Sequence, residues 1–165
     1  MRRLCPLLVM AGLGCLWSAV AVAQTKLSGS NVCSRPDPSH VLPAGDRPDH
    51  SLGVQQTKCT WPKPFELGTD KAKESAATET VEIMGNRTHS HGMHVVTMES
   101  GDKVFVSYQG SGTSKDGKPV EGKGTWSFSG GTGKLKGIKG KGTYTCAPSA
   151  DGFGCSGEGE YELPK

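Results

Sequence analysis

Three histidines and a methionine lie within six residues, in the segment H-S-H-G-M-H. Imidazole and thioether groups bind copper, zinc or nickel, so His89, His91 and His94 form a candidate site for a divalent metal, which we expect to bind weakly. In a strand His89 and His91 point to one face and His94 to the other, unless Gly92 bends the chain. Because N-R-T precedes the cluster, we favour an exposed turn before the strand that starts at His94, with solvated histidines and no metal. No other cofactor is expected.

Four cysteines follow residue 23: Cys33, Cys59, Cys146 and Cys155. An even number in an exported chain predicts two disulfides, with three possible connectivities. We favour Cys146–Cys155, because a short polar hairpin loop separates them, and Cys33–Cys59, which would tie the N-terminal segment to the first strand. In the alternative with free thiols, a reduced Cys59 inside a barrel could act as a nucleophile.

Signatures of enzymes are scarce in this chain. The sequence contains neither H-E-x-x-H nor G-x-S-x-G, so no catalytic residues are assigned. The sequence leaves enzymatic activity uncertain and favours a protein that is not an enzyme. Lysines follow glycines at Lys134 and Lys141, as in a phosphate-binding loop. Such a loop needs Ser or Thr next and then a helix, whereas Leu135 and Gly142 follow here. We therefore interpret this segment as a tight glycine corner between strands.

The first 23 residues have the pattern of a secretory signal peptide. Arg2 and Arg3 precede an apolar run over residues 4–20, and A-V-A at 21–23 matches a cleavage site. A lipoprotein signal ending at Cys15 is the alternative, but the A-x-A site fits better. We expect a periplasmic or secreted product of residues 24–165. No second apolar run approaches the roughly 20 residues of a membrane-spanning helix.

The expected product is almost neutral. Its 142 residues carry 17 Lys and Arg against 16 Asp and Glu, so its net charge is about +1. A general nucleic-acid binder needs a concentrated excess of basic residues, and this composition argues against that class. The length suits one domain. The sequence does not indicate an oligomeric state.

Two kinds of segment follow the signal peptide. Residues 24–50 contain four prolines and predict an irregular or extended arm. Residues 51–165 predict a β-domain of short alternating strands separated by turn residues. Residues 70–77 have a helix-like composition without an apolar stripe, and we expect a loop or a single turn there. The predicted strands cover residues 52–61, 78–84, 94–99, 103–109, 124–128, 142–146 and 159–163.

A weak repeat occupies the last third of the chain. G-K-G-T-W begins at residue 122, G-K-G-T-Y at 140 and G-E-G-E-Y at 157. This spacing is typical of a β-meander. The pleat predicts that Trp126 and Phe128 point inward, and likewise Tyr161 and Leu163. Together with the glycines, this favours an all-β fold, a small closed antiparallel barrel of about eight strands, over a sandwich.

A resemblance to a known family lies in the same region. The segment G-G-T-G-K-L-K-G-I-K-G-K-G-T-Y resembles the glycine-rich strand-turn-strand of the allene oxide cyclase barrel-like families, which include allene oxide cyclases, dirigent proteins and many bacterial exported proteins. C-T-W at 59–61, G-D-K at 101–103 and G-E-Y at 159–161 are similar to the bacterial group. The resemblance covers residues 51–165 and implies an eight-stranded, calycin-like barrel with an apolar interior. The catalytic residues of the plant enzymes find no matching positions here.

We expect the barrel to bind one small apolar ligand without catalysis. The alternatives are a cyclase or isomerase, which would need a desolvated polar group in the cavity, and a structural or partner-binding envelope protein with a packed barrel. Apolar residues occupy both faces of the strand predicted over 103–109, so the sequence does not decide which face of that strand points inward. The candidate ligand-binding residues are the aromatic ones, Trp61, Phe105, Tyr108, Trp126, Phe128 and Tyr144.

Overall fold

A computed structural model describes residues 24–116, 118–150 and 152–164, and the predicted signal peptide lies outside them. The described residues form ten β-strands and one 3₁₀ helix, Gly133–Leu135. No helix in these ranges is both long and apolar enough to cross a membrane. The strands are β1 (Thr25–Cys33), β2 (Ser39–Pro43), β3 (His50–Lys63), β4 (Glu66–Leu67), β5 (Asp70–Met84), β6 (Arg87–Met98), β7 (Lys103–Lys115), β8 (Lys118–Gly131), β9 (Lys139–Ser149) and β10 (Gly152–Glu162).

Eight of these strands close into a barrel. The order around it is β1, β10, β9, β8, β7, β6, β5 and β3, and β3 pairs with β1 to complete the circle. All pairings are antiparallel. The short strands β2 and β4 are additions that pair with β3 and β5. The predicted fold class, a closed antiparallel barrel of about eight strands, is confirmed.

The N-terminal segment contributes a strand to this barrel. β1 lies between β10 and β3, so the barrel begins before residue 51, the predicted start of the β-domain. The prolines of this segment all follow Cys33, so β1 has every backbone donor that pairing requires. β2 then continues alongside β3, and all five of its residues are exposed.

Two local predictions are wrong. Residues 70–77 are not a loop or a turn but the first half of β5, and the histidine segment lies within β6 rather than in a turn before it. In this half of β5 the small side chains of Ala72, Ser75 and Ala77 are buried while the lysines and Glu74 are exposed, and a bulge between Ala72 and Glu74 shifts the alternation. Small residues carry little apolar signal, so this strand had no visible inner face in the sequence.

One end of the barrel is packed. The 3₁₀ helix and the residues after it lie across that end, where Leu135 and Ile138 are buried. Tyr161 points inward as predicted, and its hydroxyl accepts a hydrogen bond from the Gly68 N–H at 2.9 Å. Leu163 lies beyond the end of β10 and is 47% exposed, against expectation. The buried cluster comprises Phe65, Leu67, Ala72, Val96, Met98, Val104, Leu135, Ile138 and Tyr161.

The glycines of the repeat lie beneath aromatic rings inside the barrel. Trp126 faces Gly142 across β8 and β9, and Tyr144 faces Gly124 across the same pair. A Cβ atom at Gly142 would lie 2.7 Å from Trp126 Cζ2, and one at Gly124 would lie 2.6 Å from Tyr144 Cζ. Real Cβ atoms do not approach so closely, because the atoms would overlap. Each glycine therefore leaves room for a ring to lie across the neighbouring strand.

Gly124→Ala is expected to lower the free energy of unfolding by about 2 kcal/mol, the cost of overpacking. The new methyl group would collide with the Gln109 carbonyl oxygen and the Tyr144 ring. Gly122→Ala is the matched control, since it lies on the same face of β8 and its nearest neighbour is at 3.5 Å. Urea unfolding should show no loss for the control. Equal losses for the two variants would contradict this account of the glycines.

Candidate functional site

The barrel holds a cavity of about 340 Å³ beyond the packed end. The deep wall of the cavity includes Trp61, Phe65 and Phe128, next to the packed core. From there the lining runs to Pro119 and Phe153, toward the end of the barrel that is not packed. Ligand pockets in proteins begin at about 300 Å³. The side chains of the barrel therefore leave a space large enough for one small molecule.

Five of the six predicted ligand-binding residues line this cavity. Phe105 does not, and its neighbour Val106 takes that place. Side chains alternate along a strand, so Val104, Val106 and Tyr108 share the inner face of β7 and Phe105 lies on the outer one. The five lining residues are Trp61, Tyr108, Trp126, Phe128 and Tyr144.

Their rings form two groups. The deeper group joins Trp61, Phe65, Phe128 and Trp126 through ring centroid distances of 4.9 Å, 6.5 Å and 5.1 Å in that order. The Trp126 Nε1–H donates to the Thr143 carbonyl oxygen at 3.2 Å. Trp61 Nε1 is buried and has no acceptor among the described residues. The deep wall is therefore mostly apolar.

The second group of rings, Tyr108, Tyr144 and His94, lies beside a carboxylate that the sequence analysis missed, that of Glu79. Glu79 Oε1 accepts a hydrogen bond from Gln55 Nε2 at 2.6 Å, and Glu79 Oε2 accepts one from the Tyr108 hydroxyl at 3.0 Å. Glu79 lines the cavity on β5 between Ala77 and Val81. The alternation A-T-E-T-V over 77–81 was the signal that could have placed it inside.

Gly92 makes this contact possible. Gly92 pairs with Glu79 on β5 and with Tyr108 on β7, and so separates the two side chains. A Cβ atom at Gly92 would lie 2.7 Å from the Tyr108 hydroxyl oxygen. The bare backbone of Gly92 therefore allows Tyr108 to reach across β6 to the carboxylate.

Both tyrosines in the cavity remain protonated at neutral pH. Burial, together with the negative charge and the hydrogen bond of Glu79, raises the pKa of Tyr108. Burial and the same charge raise the pKa of Tyr144 to about 12. The two rings meet edge to face, with centroids 6.2 Å apart. Both phenols are therefore neutral at pH 7, and the Tyr108 hydroxyl donates its hydrogen bond to Glu79.

His94 completes the polar group. Its ring meets Tyr108 edge to face at a centroid distance of 5.5 Å, and its Nε2 atom lies 3.7 Å from Cys59 Sγ. Burial lowers the pKa of His94 to about 4, because the cavity wall disfavours the charged imidazolium. His94 is therefore neutral at pH 7.

The three candidate metal-binding histidines are divided between two faces of β6. His89 and His91 are exposed on the outer face, and His94 lines the cavity. Metal binding by this cluster stays a prediction. A different set, the sulfurs of Cys33 and Cys59 with a ring nitrogen of His94, lies within 4.8 Å. Both sulfurs are in a disulfide, so they offer no thiolate to a metal.

Both favoured disulfides are present. Cys33–Cys59 joins directly opposed residues of β1 and β3, and Cys146–Cys155 does the same for β9 and β10. Three of the four cysteines, Cys33, Cys146 and Cys155, line the cavity. The bridges therefore link neighbouring strands and place apolar sulfur on the inner wall.

A comparison of the chain with protein-family models, curated proteins and solved structures found no match. The resemblance to the allene oxide cyclase barrel-like families therefore stays a prediction, and the assignment of a function rests on the geometry of the cavity alone. That geometry defines a small disulfide-linked β-barrel with an aromatic, partly polar interior.

Proposed function

We propose that this barrel binds one small, largely apolar ligand in its cavity. The observation that carries the proposal is the unfilled space of about 340 Å³ between aromatic rings. A packed structural barrel would instead fill its interior with its own side chains. The deep aromatic group would hold the apolar body of the ligand, and Glu79 and Tyr108 would orient its polar group.

Tryptophan fluorescence offers a direct test, because residues 24–165 contain two tryptophans, Trp61 and Trp126, and both line the cavity. We expect N-phenyl-1-naphthylamine, an uncharged apolar probe, to bind saturably at one site and to quench both by energy transfer. Gly122→Phe should abolish binding, because the new ring would project into the cavity.

The control for this titration is Gly122→Ala, which should bind the probe like the wild type because its methyl group has ordinary contacts. Absence of saturable binding to the folded wild-type protein would overturn the proposal and favour the packed structural alternative. Binding that survives in folded Gly122→Phe would place the probe on the outer surface and would equally count against the cavity.

A cyclase or isomerase is the second candidate, and one observation favours it. A carboxylate, a phenol and a neutral imidazole, those of Glu79, Tyr108 and His94, lie together in the cavity. Such groups can remove and return a proton on a bound molecule from which water is excluded.

Deuterium exchange separates catalysis from simple binding. Small molecules extracted from protein purified from its native source would be incubated in D₂O with the wild type and with Glu79→Gln. Incorporation of carbon-bound deuterium with the wild type alone would support catalysis. Equal incorporation with both proteins would show that Glu79 is not the base, and no incorporation with either would leave a binding protein.

We also propose that the protein acts outside the cytoplasm, in the periplasm or after secretion. The two disulfides support this, since such bonds persist in oxidising compartments. Intact mass measurement of the native protein should give residues 24–165 with four hydrogens fewer than the reduced chain. A chain that retains residues 1–23 would contradict cleavage of the signal peptide.

A further inference from the structure

We propose that the ligand carries a positively charged nitrogen, as a protonated amine or a quaternary ammonium group on an apolar body. This inference rests on the proposed function and specifies the chemical class of the ligand. It is carried by the position of Glu79 inside the cavity, among aromatic rings and without a cationic side chain opposite it in the described lining.

The charges around the cavity leave Glu79 without a counter-ion. Apart from Glu79, the charged residues in the described lining are Glu121 and Lys123, and both are exposed on β8. Lys123 lies between the inward-facing Gly122 and Gly124, so its side chain points outward. His94 is neutral at pH 7, because burial lowers its pKa to about 4. The inward-facing side chains of the described cavity lining therefore carry a net negative charge, that of Glu79.

The hydrogen bonds to Glu79 come from neutral groups, the amide of Gln55 and the hydroxyl of Tyr108. They orient the carboxylate but do not cancel its charge. A ligand that fills the cavity removes solvent from Glu79, and burying an unpaired charge is costly. An uncharged ligand would bear this cost in full, whereas a cationic nitrogen would offset it.

The rings beside Glu79 suit the same chemistry. Tyr108 is nearly perpendicular to Tyr144 at an interplanar angle of 85°, and His94 meets Tyr108 at 67°. Rings at these angles form a corner next to the carboxylate, and the face of a tyrosine ring attracts a cation. Aromatic rings grouped around a cation are a common arrangement for recognising quaternary ammonium groups. Charge and shape therefore favour the same ligand class.

Three naphthalene ligands of similar size test this inference at pH 7: 1-naphthylmethylamine, which is cationic, 1-naphthalenemethanol, which is neutral, and 1-naphthoic acid, which is anionic. We expect calorimetry on the wild type to show the amine binding at least about tenfold more tightly than the alcohol, and the acid most weakly. Glu79→Gln removes the charge but keeps the size of the side chain: its oxygen can still accept from Gln55 and its amide group can donate to the Tyr108 hydroxyl, so it should bind amine and alcohol equally. Glu74→Gln, the same change at an exposed carboxylate of the same strand that is not part of the cavity lining, should keep the wild-type preference.

The outcomes separate the two proposals. Equal binding of amine and alcohol to the wild type would overturn the inference and leave the ligand-binding function standing. An amine preference that persists in folded Glu79→Gln would also overturn it, because the carboxylate would not be its source. If neither these ligands nor the uncharged probe bind the wild type, both proposals fall. The wild-type series decides the inference even if Glu79→Gln does not fold.

Discussion

Replacing Cys33 and Cys59 together by alanine is expected to lower the free energy of unfolding by about 3.5 kcal/mol. The bridge closes a loop of 26 residues, and releasing it gives the unfolded chain more conformational freedom. The bridge also joins the weakest seam of the barrel. The ladder between β1 and β3 pairs three positions and contains an irregularity, whereas the ladder between β3 and β5 runs from His50 to Thr60 without one.

The second bridge provides the matched comparison. Cys146 and Cys155 are only 9 residues apart and lie on a regular hairpin, so alanine at both should cost about 2.6 kcal/mol. Urea unfolding of both double variants and the wild type measures the difference. A larger loss for the Cys146/Cys155 variant would contradict the idea that the Cys33–Cys59 bridge secures the closure of the barrel.

Acidification is expected to destabilise the protein through His94. Its pKa falls from 6.5 in the unfolded chain to about 4 in the barrel, so between these values the unfolded state binds a proton that the folded state does not. Stability from this group is complete above pH 6.5 and is lost as the pH falls. By pH 4 the loss from His94 is about 3 kcal/mol.

Urea unfolding at pH 7, 5.5 and 4 would measure this effect. His94→Gln cannot titrate, so its stability should fall less with pH than that of the wild type, by about 3 kcal/mol at pH 4. His91→Gln, on the exposed face of the same strand, should follow the wild-type curve. His50 does not interfere: hydrogen bonds to Asp46 and Glu82 raise its pKa, so its contribution is complete below pH 6.5 and is lost only at higher pH. Parallel curves for wild type and His94→Gln would contradict the burial of a neutral His94.

The candidate site was predictable where alternation was visible. Trp126 and Phe128 alternate with small polar residues on β8, and their inward direction followed from the pleat. On β7 apolar residues occupy both faces, so only the pairing of Tyr108 with Trp126 across the ladder shows which set is inside. Glu79 was missed because a glutamate in a strand is usually solvated, although its parity matched that of Val81.

The sequence by itself determined the fold class, the barrel strands after residue 51 and the two disulfides. These depend on local alternation, glycine spacing and cysteine positions, which belong to each segment separately. Only the tertiary structure decided that β1 closes the barrel, that His94 rather than His91 points into it, and that Tyr108 meets Glu79 across Gly92. The cavity, too, was decided only by the tertiary structure. Its volume is what remains when strands distant in the sequence enclose a space that their combined side chains do not fill, and no single segment contains that quantity.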